Sequence, residues 1–237
     1  MIADIRRLVA KIAERFKRRY YGPTFRCPVC HLELALVDAD GNRLMVCPLC
    51  GVVLDVEEVY GHPVPVVLEV EVFRPQPKMR IHPLATHLPI GLYPFAVVGV
   101  VVLLLSSVLG PVVPGLGPLL DRAPVVADAT LVLLVLSVGF AVVTFASGLR
   151  DWYRRYRRRP YAQIRLKIVF AIAFVILGGL AIALHASGAV FSESTGLVDL
   201  GSPLAVTLAA LEMVILGVGM VVVAALGHVG GTLVFGR

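Results

Sequence analysis

Charge is the first thing this sequence lacks. Only 16% of its 237 residues are Asp, Glu, Lys or Arg, 58% are hydrophobic, and the mean hydropathy is +0.86. A soluble domain usually has about a quarter of its residues charged. A chain so poor in charge cannot be covered by polar side chains, which excludes a single water-soluble domain as its whole fold. Asparagine occurs once, as Asn42, and Arg far outnumbers Lys, a bias that fits a heat-adapted or GC-rich source. A secretory signal is missing as well: the first twenty residues are studded with Arg and have no apolar core of the required length. No long uncharged run precedes Leu88, and no cysteine follows Cys50. There is no G-x-S-x-G, P-loop, H-E-x-x-H or dinucleotide G-x-G-x-x-G pattern. Hydrolase, NTPase and dehydrogenase chemistry therefore find no support.

What is present comes in blocks. Residues 88–109, 129–149, 168–186 and 203–226 are apolar runs broken only by Glu212 and His185 among the strongly polar ionisable side chains. At a rise of about 1.5 Å per residue each reaches across a hydrocarbon core about 30 Å thick. Only helices or closed barrels satisfy backbone groups in lipid, and these runs are too long for barrel strands. Pro111, Pro114, Gly115, Gly117 and Pro118 break the chain after the first run, and a polar stretch at 187–202 separates the last two.

The charges give orientation. Residues 150–167 hold eight Arg or Lys against Asp151 alone, so the connection between the second and third spans is expected to be cytoplasmic. Four spans then put both termini in the cytoplasm, with the chain in the cell membrane. Residues 1–20, with seven basic and two acidic side chains, agree. Within them Ile2, Ile5, Val9, Ile12 and Phe16 recur at helical spacing, which predicts a basic amphipathic helix over 1–21 suited to an anionic lipid surface.

The four cysteines form two C-x-x-C pairs, Cys27/Cys30 and Cys47/Cys50, separated by 16 residues. That spacing suits tetrahedral thiolate coordination of one metal ion, and thiols on the cytoplasmic side stay reduced. Residues 32–38 and 43–47 read as a β-hairpin about the turn Ala39-Asp40-Gly41-Asn42, with further strands at 52–54 and 66–72. Pro75-Gln76-Pro77-Lys78 reads as a linker. The knuckles resemble those of zinc ribbons and, more distantly, of rubredoxins. The short hairpin and the lack of aromatic residues between the pairs favour the ribbon, hence zinc, with iron as the alternative. Residues 22–72 carry eight acids against Arg26 and Arg43, which opposes nucleic-acid binding and leaves a protein partner as the expected contact.

The expected fold class is thus a mainly α membrane protein. A basic amphipathic helix (1–21), a small β zinc-ribbon-like domain (22–60), and a strand and linker (61–79) precede a four-transmembrane-helix bundle (80–237).

Two groups of ionisable residues stand out in the membrane region. His82, His87, Asp151 and His228 fall near its cytoplasmic boundary, where histidines on different helices can hold a b-type haem, or with Asp151 a metal ion, or simply cap helices. Asp128, His185 and Glu212 fall toward the opposite side, and Glu212, the only acid deep in a span, is a candidate proton site, alone or paired with His185. Tyr93, Ser137 and Thr144 read as packing residues. Gly178/Gly179 and Gly217/Gly219 permit close helix contacts within the bundle or in a homodimer.

The segment Ile81-His82-Pro83-Leu84-Ala85-Thr86-His87-Leu88-Pro89-Ile90-Gly91, the tetrapeptide Gly148-Leu149-Arg150-Asp151 and the closing Gly227-His228-Val229-Gly230-Gly231-Thr232-Leu233-Val234 together resemble a family of four-helix membrane proteins of unknown function. The resemblance covers about residues 80–236. It implies the four-helix fold and no particular activity; some members carry a fused iron–sulfur domain. Three functional readings follow. One is a non-enzymatic membrane bundle whose zinc ribbon serves assembly, sensing or partner docking. Another is a membrane electron-transfer protein with haem on His87 and His228. The last is a small transporter or proton-conducting module built on Glu212.

Overall fold

The computed structural model describes residues 21–69, 81–113, 115, 117–154, 158 and 161–235. The amphipathic segment expected over 1–21 lies outside them except for Tyr21, as do the linker at 75–78 and the 70–72 end of the expected strand. The described residues fall into two compact units. One takes in the strands, the start of the third long helix through Lys167, and the end of the fourth from His228; the other holds the remaining lengths of the four helices.

The first unit has five strands: β1 (Thr24–Arg26), β2 (Glu33–Ala35), β3 (Leu44–Val46), β4 (Val53–Val59) and β5 (His62–Glu69). β1 pairs antiparallel with β2, and β3–β4–β5 form a second antiparallel sheet. The expected hairpin between 32–38 and 43–47 does not form. Each C-x-x-C knuckle is instead the turn of its own hairpin: β1 enters and β2 leaves the first, β3 enters and β4 leaves the second. The physical reason is local. Leu36–Asp38 winds into a 3-10 turn, and Asp40 Oδ1 then accepts from the backbone of Asn42 (3.0 Å) and Leu44 (2.8 Å), rounding the Asp-Gly segment into a wide loop. β4 and β5 join through Tyr60-Gly61, both with positive φ (51° and 77°), the geometry of a primed two-residue turn. Phe25, Leu32, Leu34, Met45, Leu54 and Val56 close a small core around Cys27 and Cys47.

Four long helices make the fold mainly α: α1 (Ile81–Leu109), α2 (Ala123–Arg154), α3 (Ala162–Ala186) and α4 (Pro203–Phe235). Each is long and apolar enough to cross a membrane. All four include the uncharged runs expected from sequence and run past them at one end or both, because a helix can continue in residues that no longer lie in lipid. Val221 (69% exposed), Phe95 (67%) and Val125 (68%) stand on outer faces of the helices. Such exposure suits lipid and opposes water, and the chain is a multi-pass membrane protein. Inside, Tyr93, Val100, Leu103, Leu134, Phe174 and Leu216 are almost wholly buried.

Polar groups stitch α1 to α2. Pro89 has no N–H, so the Ala85 carbonyl loses its helix donor. Thr144 Oγ1 donates to that carbonyl at 3.0 Å, and Ser137 Oγ donates to the Pro89 carbonyl at 3.2 Å. Tyr93 donates from its hydroxyl to the Leu216 carbonyl at 3.3 Å and meets the edge of Phe174 at 4.9 Å between centroids. Each of these three hydroxyls is thus committed to a backbone carbonyl of another helix.

Candidate functional site

The two knuckles repeat one backbone pattern. In the first, His31 N–H donates to the Cys27 carbonyl (2.9 Å) and Cys27 N–H to the Leu32 carbonyl (2.9 Å); in the second, Gly51 N–H donates to Cys47 (2.9 Å) and Cys47 N–H to Val52 (2.8 Å). The residue after each second cysteine takes a left-handed turn, His31 at φ 58° and Gly51 at φ 84°. Glycine adopts this freely and histidine less so. This repetition points all four sulfurs to one place: Cys27 Sγ lies 3.7 Å from Cys50 Sγ, Cys30 Sγ 3.5 Å from Cys47 Sγ, and all four within 4.8 Å of one another. A tetrahedron with metal–sulfur bonds of ~2.3 Å has edges of about 3.8 Å, so the donor set fits a single ion. The thiols are free rather than joined as disulfides.

The electrostatics agree. Burial pushes the Cys30 thiol up to about 11, and burial together with the neighbouring Cys27 and Cys30 sulfurs pushes Cys47 up further. Burial also raises Cys27, but hydrogen bonds from the Cys30 and Val29 backbones outweigh it and draw that thiol below its usual value. Four thiolates cannot sit together in a buried site without a cation, and a bound metal supplies the missing positive charge.

The same unit grips the start of α3. Tyr161 donates from its hydroxyl to the Val46 carbonyl (2.7 Å), one residue before Cys47. Ala162 N–H donates to Asp38 Oδ1 (2.8 Å), and Gln163 Nε2 to the Glu33 carbonyl (2.9 Å). Tyr161, Ala162, Ile164 and Leu166 are buried. Asp38 thus caps a helix more than a hundred residues away, satisfying one of its free N–H groups. Burial raises the Asp38 carboxyl to about 6 against the opposing pull of the Ala162 N–H and the Arg165 charge. Sequence reading missed this contact; the only signal was a Tyr-Ala-Gln opening to α3 with no capping residue of its own.

Of the four residues expected to hold haem or a second metal, His82 faces α2. His82 Nδ1 lies 3.1 Å from both the Thr144 carbonyl and Ser147 Oγ, and its ring fills the space above Gly148, where an added Cβ would come within 2.8 Å of Cε1. His87 and His228 are exposed and belong to different units, and Asp151 is half-buried. Among the described residues, the four cysteines are the only set of three or more His, Cys, Asp or Glu side chains within ligating distance.

The second expected group is partly assembled. His185 Nδ1 lies 2.8 Å from Glu212 Oε1, both side chains almost wholly buried, while Asp128 is exposed and stands apart. His185 Nε2 lies 3.1 Å from the Ala127 carbonyl, and the Phe191 ring lies 4.9 Å from the imidazole. Of the small-residue pairs, Gly178 packs on Val138 and Gly219 on Tyr93 within the bundle, while Gly179 and Gly217 face open space. No family model, curated protein or solved structure matches the chain.

Proposed function

We propose that this is a non-enzymatic protein of the cell membrane whose four-cysteine module binds zinc on the cytoplasmic side and acts as an assembly scaffold, holding the connection between α2 and α3. The observation that carries this reading is the set of three hydrogen bonds from residues 161–163 to Val46, Asp38 and Glu33, all on strands or turns that the knuckles organise. A domain of this size has little core of its own, and metal binding supplies much of its folding free energy. Zinc is favoured over iron because the core around the sulfurs is aliphatic apart from Phe25, unlike the aromatic core of rubredoxins. The basic connection at 150–167 supports the cytoplasmic placement. The acidic segment carrying the module suits a basic protein partner and disfavours nucleic acid. Motif resemblance to the four-helix family of unknown function is compatible with this role and adds no activity.

The test uses the full chain purified in lipid nanodiscs. Elemental analysis is expected to find one zinc per chain and no visible absorption; one iron with thiolate charge-transfer bands overturns the zinc assignment. Stripping the metal is expected to speed hydrogen exchange at the amides of residues 161–166. Unchanged exchange in the stripped protein refutes the scaffold role, whichever metal was bound.

A further inference from the structure

Among the described residues, the membrane-spanning unit holds one wholly buried carboxylate, Glu212, and one almost wholly buried imidazole, His185, and the fold brings them into contact. Between Leu88 and Leu109, α1 carries no charged residue and a single titratable one, Tyr93, whose hydroxyl is committed to the Leu216 carbonyl. Between Ala123 and Leu149, α2 carries only Asp128, which is exposed. From Ile168 to Ala186, α3 carries only His185, and from Pro203 to Gly227, α4 carries only Glu212. The connection at 187–202 adds Glu193 and Asp199, both exposed.

The hydrogen bonds dictate where protons sit. A backbone carbonyl only accepts, so His185 Nε2 at 3.1 Å from the Ala127 oxygen carries a hydrogen. Nδ1 and Glu212 Oε1, 2.8 Å apart, then share one further proton, as acid and imidazole or as carboxylate and imidazolium. The pair is neutral in both forms, which is how ionisable groups are tolerated away from water. One acceptor is left over. Glu212 Oε2 is buried and has no hydrogen-bond partner among the described residues. A buried oxygen with no donor is costly unless something binds it.

We infer that His185 and Glu212 form a proton-binding site in the membrane unit, with one proton resident between Nδ1 and Oε1 and a vacant acceptor, Oε2, that takes a second. The second proton is given up by hydronium of the acidic solution, which becomes water, and forms an O–H bond at Oε2; the resident proton then belongs to the imidazole, and no electrons move. The resulting imidazolium is stabilised by the Ala127 carbonyl on one side and the Phe191 ring on the other. Phe191 and its neighbours Val190 and Val198 are buried, so the 187–202 connection covers the site and separates it from bulk water. Val198 N–H donates to Ser107 Oγ at 2.9 Å, which ties that cover to α1. Protonation adds a charge directly beneath this cover, so the site links proton uptake to its seating. The inference is independent of the metal module.

The experiment is infrared difference spectroscopy of the full chain in neutral-lipid nanodiscs, taken between alkaline and acidic buffer. Wild type is expected to show a protonated-carboxyl C=O band that is gained or moves in frequency on acidification, shifts in D2O and is lost in Glu212→Gln. The glutamine keeps the volume and a donor for Nδ1. If the spectrum of the variant matches wild type, or if no carboxyl band is gained or moved, the inference is overturned. Should Glu212→Gln not fold, His185→Gln decides: removal of the imidazole must move the frequency of the same band, and an unmoved band refutes the pairing.

Discussion

Thr144→Val removes one hydroxyl and almost no volume, and its effect should depend on a proline fifty-five residues earlier. In wild type the Thr144 hydroxyl is the donor to the Ala85 carbonyl at 3.0 Å, which Pro89 leaves without its helical N–H. Interhelical hydrogen bonds in membranes are worth about 0.6 kcal/mol on average and up to about 1.7 kcal/mol. Here the alternative is an unpaired carbonyl, so the cost of Thr144→Val should be about 1 kcal/mol. Pro89→Ala restores an N–H four residues after Ala85, and the helix then supplies the donor itself. In that background Thr144→Val should cost about 0.3 kcal/mol or less, leaving a coupling of about 0.7 kcal/mol or more. Reversible unfolding of the four proteins in mixed micelles measures the cycle. Thr144→Ser is the control, since it keeps the hydroxyl and should stay close to wild type. Equal costs of Thr144→Val in both backgrounds would refute the reasoning, because the hydroxyl would then be acting through something other than the carbonyl that proline frees.

Three further outcomes follow from other contacts. Asp38→Ala should destabilise the docking of residues 161–163 by about 1 kcal/mol, the usual worth of a helix cap, with Asp38→Asn milder because the amide oxygen still accepts from Ala162. Since burial raises the folded-state carboxyl from 3.8 to about 6, the folded protein holds this proton where the unfolded chain has released it. Its contribution to stability therefore falls as pH rises from about 4 to 6, and Asp38→Asn should flatten that slope in pH-dependent thermal unfolding; an unaltered slope would assign it to another group. Gly196→Ala places a Cβ 2.6 Å from the Ala123 carbonyl oxygen at a residue with φ +64°, and should cost roughly 2–4 kcal/mol from strain and overlap together. Gly188→Ala, at φ +67° with nothing nearer than 3.5 Å, should cost only the conformational part, about 1–2 kcal/mol, so comparable losses of thermal stability in the two would contradict the packing of Gly196.

Much of the molecule was legible in the amino-acid order, for identifiable reasons. The four spans were readable because membrane thickness and helical rise convert directly into run length, and charge ends the run. The helices nevertheless extend beyond those runs, since charge marks where lipid ends and says nothing of where a helix stops. The thiol site was readable because C-x-x-C can bend only one way about an ion. The hairpins were not: Asp-Gly is a strong local turn signal, yet the strands pair across the knuckles, a choice made by the sulfurs converging and by Asp40 closing its own loop. Glu212 and His185 could be matched because no other carboxylate or imidazole lies deep in any span. His82, His87, Asp151 and His228 share a boundary in the sequence pattern, but that pattern does not encode helix rotation, which turned His82 to α2 and left His87 exposed.

Composition and spacing alone determined the solvent of the helices, their number and the donor atoms of the cysteine cluster. These are properties of one residue type or one segment, which no distant neighbour can alter. Tertiary structure decided who completes whom: Asp38 for the bare N-terminus of α3, Thr144 for the carbonyl that Pro89 strands, Ala127 for the imidazole of His185. Such complements join groups tens of residues apart, and a hydrogen bond depends on angstroms of placement that no pattern along the chain encodes.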